Sequence, residues 1–264
     1  MTALLGLAGL VGLAVGSFLN VVIWRVPRGE SVVRPPSSCP RCGHRIRPRD
    51  NVPVVGWLVL RGRCRDCGES ISQRYPLVEL ATALLFVGAT AWALRRDDAP
   101  WFVPAVLYLV AIAVALTLID LDVHRLPNAI VLPSYLVVSG LLLVAAAGTS
   151  DWPALGRAAV GGGALWAFYL LLALVNPRGM GFGDVKLAGV LGLCLGWVGW
   201  GALVVGAFAA FLCGGLYALV LLALGRAGRG SGIPFGPWMF VGCAIGLVTG
   251  ETLWAAYLDA TLLA

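Results

Sequence analysis

The stretch LAGVLGLCLGWVGWGALVVGAFAAFLCGGLYALVLLALG, Leu187 to Gly225, runs for 39 residues without a single charged side chain. As helix it would be about 58 Å long, nearly two bilayer cores of about 30 Å. It therefore reads as two crossings, turning at Gly196-Trp-Val-Gly-Trp-Gly201, with tryptophans suited to an interface. Working outward, further apolar runs at 3–24, 76–94, 101–119, 129–147, 158–175 and 236–258 join 187–200 and 202–224. The expectation is an all-α, polytopic membrane helix bundle of about eight transmembrane helices, or seven if one segment is re-entrant. Composition agrees: 59% of the 264 residues are hydrophobic and only 12% charged, about half the charge of a soluble domain. The first span has no basic segment before it and no evident cleavage site, so it reads as retained.

Charge distribution sets orientation. Residues 25–75 hold eleven arginines, and Lys186 is the only lysine. Threading eight spans with this segment inside puts sixteen basic residues inside and three (Arg95, Arg96, Arg157) outside. Arginine beside a span points to the cytoplasmic side and to anionic lipid rather than to nucleic acid.

The same segment carries Cys39-Pro-Arg-Cys42-Gly and Cys64-Arg-Asp-Cys67-Gly. Two such pairs at this spacing describe a four-thiolate zinc site with Cys39, Cys42, Cys64 and Cys67 as ligands, a small zinc-ribbon-like loop. A cytoplasmic loop argues against disulfides. His44 is an alternative ligand, and Cys194, Cys213 and Cys243 read as packing residues. The expected division is residues 1–24, a first transmembrane helix; 25–75, the cysteine loop; and 76–264, the membrane-embedded catalytic part.

Two polar islands interrupt the apolar remainder: Leu118-Ile-Asp-Leu-Asp-Val-His-Arg-Leu-Pro-Asn128 and Gly179-Met-Gly-Phe-Gly-Asp-Val-Lys-Leu187. A carboxylate at a span end is costly and is a functional candidate. Two on one membrane face suggest a pair sharing a proton, as aspartic hydrolysis requires. In the first island Asp120 ends a span, Pro127 and Asn128 start the next, and Asp122, His124 and Arg125 fill the turn. In the second, Gly181 and Gly183 allow a bend before Asp184 and Lys186. Lys186 is also an alternative partner for Asp184. A proton- or metal-coupled transporter using the same aspartates is the rival reading, weakened by their position at span ends and by the lack of an inverted repeat.

These residues resemble the bacterial prepilin peptidases, the type IV leader peptidases among the Gly-x-Gly-Asp intramembrane aspartic proteases. The likeness includes Gly16-Ser-Phe-Leu-Asn-Val-Val-Ile-Trp-Arg-Val-Pro27, both cysteine pairs and Ile71-Ser-Gln-Arg-Tyr-Pro-Leu-Val-Glu-Leu80. It continues through Asp120 with Pro127, Gly181-Phe-Gly-Asp-Val-Lys-Leu187, and Ile233-Pro-Phe-Gly-Pro237. The resemblance implies Asp120 and Asp184 as catalytic residues, with Gly181, Gly183, Lys186 and Pro127 in support. It implies cleavage of basic leaders from type IV prepilins and type II secretion pseudopilins at the cytoplasmic face of the inner membrane. N-methylation of the new N-terminus with S-adenosylmethionine is also implied, without named residues. A Gly-x-Gly-Asp protease with other substrates is the nearest alternative. Trp24 and Asn128 depart from the commoner tyrosine and aspartate. Glu79, Asp120 and Asp122 are candidate contacts for a basic leader.

Overall fold

The computed structural model describes all residues except 97, 99, 100, 178, 227–231, 263 and 264. Arg178 and Arg229, two of the sixteen basic residues counted inside, and parts of the 95–100 and 225–232 turns lie outside the described residues. Those described form helices α1 (Thr2–Arg25), α2 (Val55–Val59), α3 (Arg74–Ala93), α4 (Val103–Val123), α5 (Asn128–Thr149), α6 (Trp152–Val175), α7 (Phe182–Val198), α8 (Trp200–Ala223) and α9 (Gly236–Leu262). β-structure among the described residues is confined to two isolated bridges in the cysteine loop.

Seven helices, all but α2 and α7, are long and apolar enough to cross a membrane. The protein is a multi-pass membrane protein. The 17 residues of α7 span only about 25 Å, which is why the count falls between seven and eight. The chain turns from α7 into α8 at Gly199, inside the stretch expected to turn. Many large apolar side chains, among them Leu136, Phe208 and Leu216, point outward, the arrangement expected where the solvent is lipid.

The chain forms two compact units. The first, residues 1–97 and 106–115, holds α1, the cysteine loop, α3 and the middle of α4. The second, residues 98–105 and 116–264, holds the ends of α4 and helices α5 to α9.

In both units helices approach through glycines four residues apart. In the first, a Cβ at Gly12 or Gly16 of α1 would lie 2.6 Å from Ala83 Cα or 2.7 Å from Glu79 Cα of α3. In the second, a Cβ at Gly192 or Gly196 of α7 would come 2.5 Å from Gly161 O or 2.7 Å from Arg157 O of α6. Gly242, Gly246 and Gly250 of α9 meet the backbone of α8 in the same way. Lipid is as apolar as leucine, so such helices gain little from hydrophobic burial against each other and associate through close backbone packing.

Charged side chains fix the far ends of the second unit. Arg157 donates from Nε to Gly196 O at 2.9 Å and from Nη2 to Trp197 O at 2.8 Å, closing the C-terminus of α7. Glu251 accepts the Ala202 N–H at 2.9 Å in the first turn of α8, where the positive helix end favours a carboxylate.

Candidate functional site: an aspartate pair and a four-cysteine cluster

α4 runs further than its apolar run suggests. It continues through Val123 and stops where His124 takes a left-handed conformation, φ 51°. Asp120 therefore lies inside the last turn of the helix, and Asp122 is helical too, not part of the turn. Asp120 is buried, 5% exposed, whereas Asp122 faces outward. The Asp120 Oδ2 accepts the Gly236 N–H at 3.0 Å. Gly236 is the first residue of α9, so this amide has no partner within its own helix.

Asp184 occupies the first turn of α7, and its Oδ2 accepts the Gly181 N–H at 3.2 Å. Gly181 is the N-cap, in an extended conformation, and having no side chain it contributes only its backbone to the cap. Asp120, at the end of α4, and Asp184, at the start of α7, thus each have one oxygen anchored by a backbone amide at a helix start. The other oxygen, Oδ1, has no protein partner among the described residues in either case.

The two islands converge on Leu126. A Cβ at Gly183 would lie 3.1 Å from Leu126 Cβ, and one at Gly236 would lie 3.2 Å from Leu126 Cδ2. Pro127 caps α5. Lys186 turns away from Asp184 and donates to Asn128 Oδ1 at 2.6 Å, while Tyr135 Oη donates to Lys186 O at 2.6 Å. These two bonds tie the start of α7 to α5. The alternative pairing of Lys186 with Asp184 is thereby replaced, and Asn128, one of the two departures from the common pattern, is the residue that takes the lysine. Beside this group Tyr169, Phe211 and Phe235 pack with their rings tilted by 37–38°, with Tyr169–Phe211 centroids 5.3 Å apart and Phe211–Phe235 centroids 5.2 Å apart. Gly236 and Leu126 were not singled out by sequence reasoning. The available signal was Ile233-Pro-Phe-Gly-Pro237, whose proline after glycine marks a helix start.

In the first unit all four loop cysteines come together, their sulfurs within 4.8 Å of one another. Cys39 and Cys67 Sγ are 3.8 Å apart, and the edge of a tetrahedron of sulfurs about 2.3 Å from a zinc ion is also about 3.8 Å. The two halves are built alike. The Cys39 and Cys64 N–H groups donate to His44 O and Glu69 O, and the Gly43 and Gly68 N–H groups donate back to Cys39 O and Cys64 O. Gly43 and Gly68 have φ of 70° and 72°, which explains the glycine after each pair. His44 serves through its carbonyl, and the cluster among the described residues consists of cysteines only.

The amides of Cys42 and Arg41 hold the Cys39 thiol down at about 7. For Cys67 the Glu69 amide pulls the same way, but burial and the neighbouring thiols push it up to about 12. The donor set fits a four-thiolate metal. Arg65 grips Asp50 (2.6 Å) and holds its carboxyl below the usual range; Arg47–Asp66 (2.8 Å) and Arg41–Glu69 (3.2 Å) are further ion pairs of the loop. Among the remaining cysteines, Cys194 and Cys243 are buried in the helices and Cys213 half-buried, as packing residues would be.

Residues 10–93 match the bacterial peptidase A24 N-terminal domain and residues 107–219 the type IV leader peptidase family. The chain belongs to the type IV leader peptidase family. It is 38% identical over 277 residues to the prepilin leader peptidase/N-methyltransferase of Pseudomonas aeruginosa, covering 95% of this chain and 92% of that one. Proteins of the same name from Stutzerimonas stutzeri (37% over 276 residues; 94% and 92%) and Neisseria gonorrhoeae (36% over 276 residues; 95% and 92%) are similar to it. No solved structure matches it.

Proposed function

We propose that the protein is a membrane-embedded aspartic endopeptidase that removes the basic N-terminal leader of prepilins and pseudopilins, with Asp120 and Asp184 as its catalytic residues. The observation that carries this reading is the pair itself: Asp120 at the end of α4 and Asp184 at the start of α7, each with one anchored oxygen and one unpaired oxygen, beside the glycines that meet around Leu126. The membership in the family supports it.

An anchored Oδ2 restrains each carboxyl group, and the Oδ1 atoms are left for water and substrate. One carboxylate, ionised, removes a proton from a water whose oxygen attacks the scissile carbonyl carbon. The other, protonated, donates to the carbonyl oxygen. When the tetrahedral intermediate collapses, the C–N bond breaks and the departing nitrogen takes a proton from the pair. The roles belong to the pair as a coupled unit rather than to either residue.

The substrate would cross the bilayer as an apolar helix with its leader in the cytoplasm, placing the cut at the membrane edge of the inner membrane. Glu79 is buried within the first unit and held by the Val54 amide, so the exposed Asp122 is the better acidic contact for a leader. Residues 1–24, 25–75 and 76–264 would serve as anchor, zinc-bearing loop and peptidase. Zinc held by Cys39, Cys42, Cys64 and Cys67 would supply folding energy to a loop with little core of its own. N-methylation of the new N-terminus, the second activity in the relatives' names, is the accompanying proposal. With S-adenosylmethionine as donor, no glycine-rich strand-to-helix turn among the described residues offers a familiar cradle, and none of its residues is assigned.

The test incubates detergent-purified protein with a prepilin and compares Asp120→Asn and Asp184→Asn with wild type. Each variant should lose about 10³-fold or more in cleavage rate at unchanged protein levels. Full cleavage by both variants would sink the assignment.

A further inference from the structure

The cysteine loop contains a short helix the sequence did not announce. α2 and the residues before it present Val52, Val55, Leu58 and Val59 at 46%, 53%, 59% and 69% exposure. Trp57 is turned inward, its Nε1 donating to Ile71 O at 3.0 Å. Gly56 packs on the backbone of Asp50, where a Cβ would collide with Asp50 O. The outward face of this helix is therefore an apolar ridge on an otherwise arginine-rich loop.

Its depth is fixed by a tether. The Val54 N–H donates to Glu79 Oε2 at 2.6 Å, and Val54 itself is held in a strained conformation, φ 60°. Glu79 lies five residues into α3, about 7.5 Å past the start of that spanning helix. It is level with Gly16, whose Cβ would be 2.7 Å from Glu79 Cα, and Gly16 is nine residues, about 13.5 Å, from the end of α1. The start of the ridge is thus held within a glutamate side chain's reach of a level inside both spanning helices.

The acidic groups of residues 49–69 are already paired, which leaves the free charge there positive. Asp50, Asp66 and Glu69 are engaged by Arg65, Arg47 and Arg41. Arg49, Arg61 and Arg63, which flank α2 in sequence, are exposed; Arg49 acts on the Asp50 carboxylate already gripped by Arg65, and the Arg61 and Arg63 side chains have no hydrogen bond or ion pair among the described residues.

We propose that the Val52–Val59 ridge is an interfacial wedge inserted into the membrane surface beside α1 and α3, and that Arg49, Arg61 and Arg63 recruit anionic phospholipid headgroups around it. An apolar face rimmed by arginine is the pattern that binds an anionic leaflet, with each arginine near the surface adding to the attraction. The wedge would hold the four-cysteine module against the bilayer whatever reaction the aspartates perform.

The test places p-benzoylphenylalanine at position 59 of the full chain, in nanodiscs of phosphatidylcholine with about 30% phosphatidylglycerol, followed by irradiation and mass analysis of the adducts. Lipid adducts should dominate, with phosphatidylglycerol at least about twofold above its mole fraction. In Arg61→Gln/Arg63→Gln protein that share should fall to the mole fraction while zinc content is unchanged. Adducts mainly to protein, whether this chain or a second copy, or no adduct at all, would overturn the wedge. A share equal to the mole fraction in the wild-type background would overturn headgroup recruitment.

Discussion

Replacing Gly236 with alanine adds one methyl group at the point where α9 meets Asp120. The new Cβ would lie 2.8 Å from Asp120 Oδ2 and 3.2 Å from Leu126 Cδ2. A carbon this close to a carboxylate oxygen forces something to move, and Asp120 is short, buried and held in the last turn of α4. The carboxyl group must swing by a few tenths of an ångström and stretch its bond from the Gly236 N–H. A hydrogen bond to a charged group is worth about 1.5–3 kcal/mol, which bounds the loss at roughly 10- to 150-fold in rate. A displacement smaller than 1 Å puts the geometric cost in the same range. The expected result is cleavage slowed about 10- to 100-fold, carried by kcat rather than by substrate affinity. The assay is timed cleavage of a prepilin by purified protein. The control is Gly163→Ala, where a Cβ meets nothing within 4 Å and the change should leave the rate untouched. If Gly236→Ala cleaves at the wild-type rate while Asp120→Asn is inactive, the amide does not position the carboxylate and the reasoning fails.

Arg157→Ala removes both donors that close α7 and should lower the free energy of unfolding in mixed micelles by about 3 kcal/mol. An unchanged unfolding midpoint would show that water or lipid serves those carbonyls equally well. For zinc, the Cys42 thiol is held above its usual value and that of Cys67 is pushed up to about 12. Both carry protons in the metal-free loop at pH 6–8, and zinc must displace them. Lower pH opposes binding, so apparent affinity should fall by at least about two powers of ten per pH unit, and more below about 7, where Cys39 is protonated as well. Chelator competition across pH 6–8 measures this, and a flat profile would exclude four-thiolate binding. The purified protein should also hold about one zinc, lost in Cys39→Ser/Cys64→Ser protein.

What could be read before the structure depended on the range of the interaction. Spans are legible because a bilayer imposes one length and one polarity on about twenty consecutive residues. The cysteine cluster is legible because sulfur ligands at a fixed spacing leave few alternatives. The proposed pairing of Asp120 with Asp184 was suggested by two costly groups that needed a common reason. The bond from Gly236 was not: it joins residues 116 positions apart, and the donor is a backbone amide that any residue but proline possesses. The same holds for the tether between Val54 N and Glu79. A carboxylate in the second turn of a span reads equally well as cap, ligand or leader contact, and only its partner decides.

The end of α4 shows the general difficulty. Hydropathy stops at Ile119 because Asp120 is polar, yet the helix continues through Val123. The apolar run reports where lipid ends, whereas the hydrogen-bond ladder reports where the backbone stops coiling. In most membrane helices the two limits nearly coincide. Here they part by a turn, and that turn holds Asp120 rigid on α4 while the start of α9 meets its carboxylate from outside. A carboxylate on a loop at the same height would be free to turn toward water. Fixed on a helix and bonded on one oxygen, it keeps the other oriented, as the proposed catalysis requires.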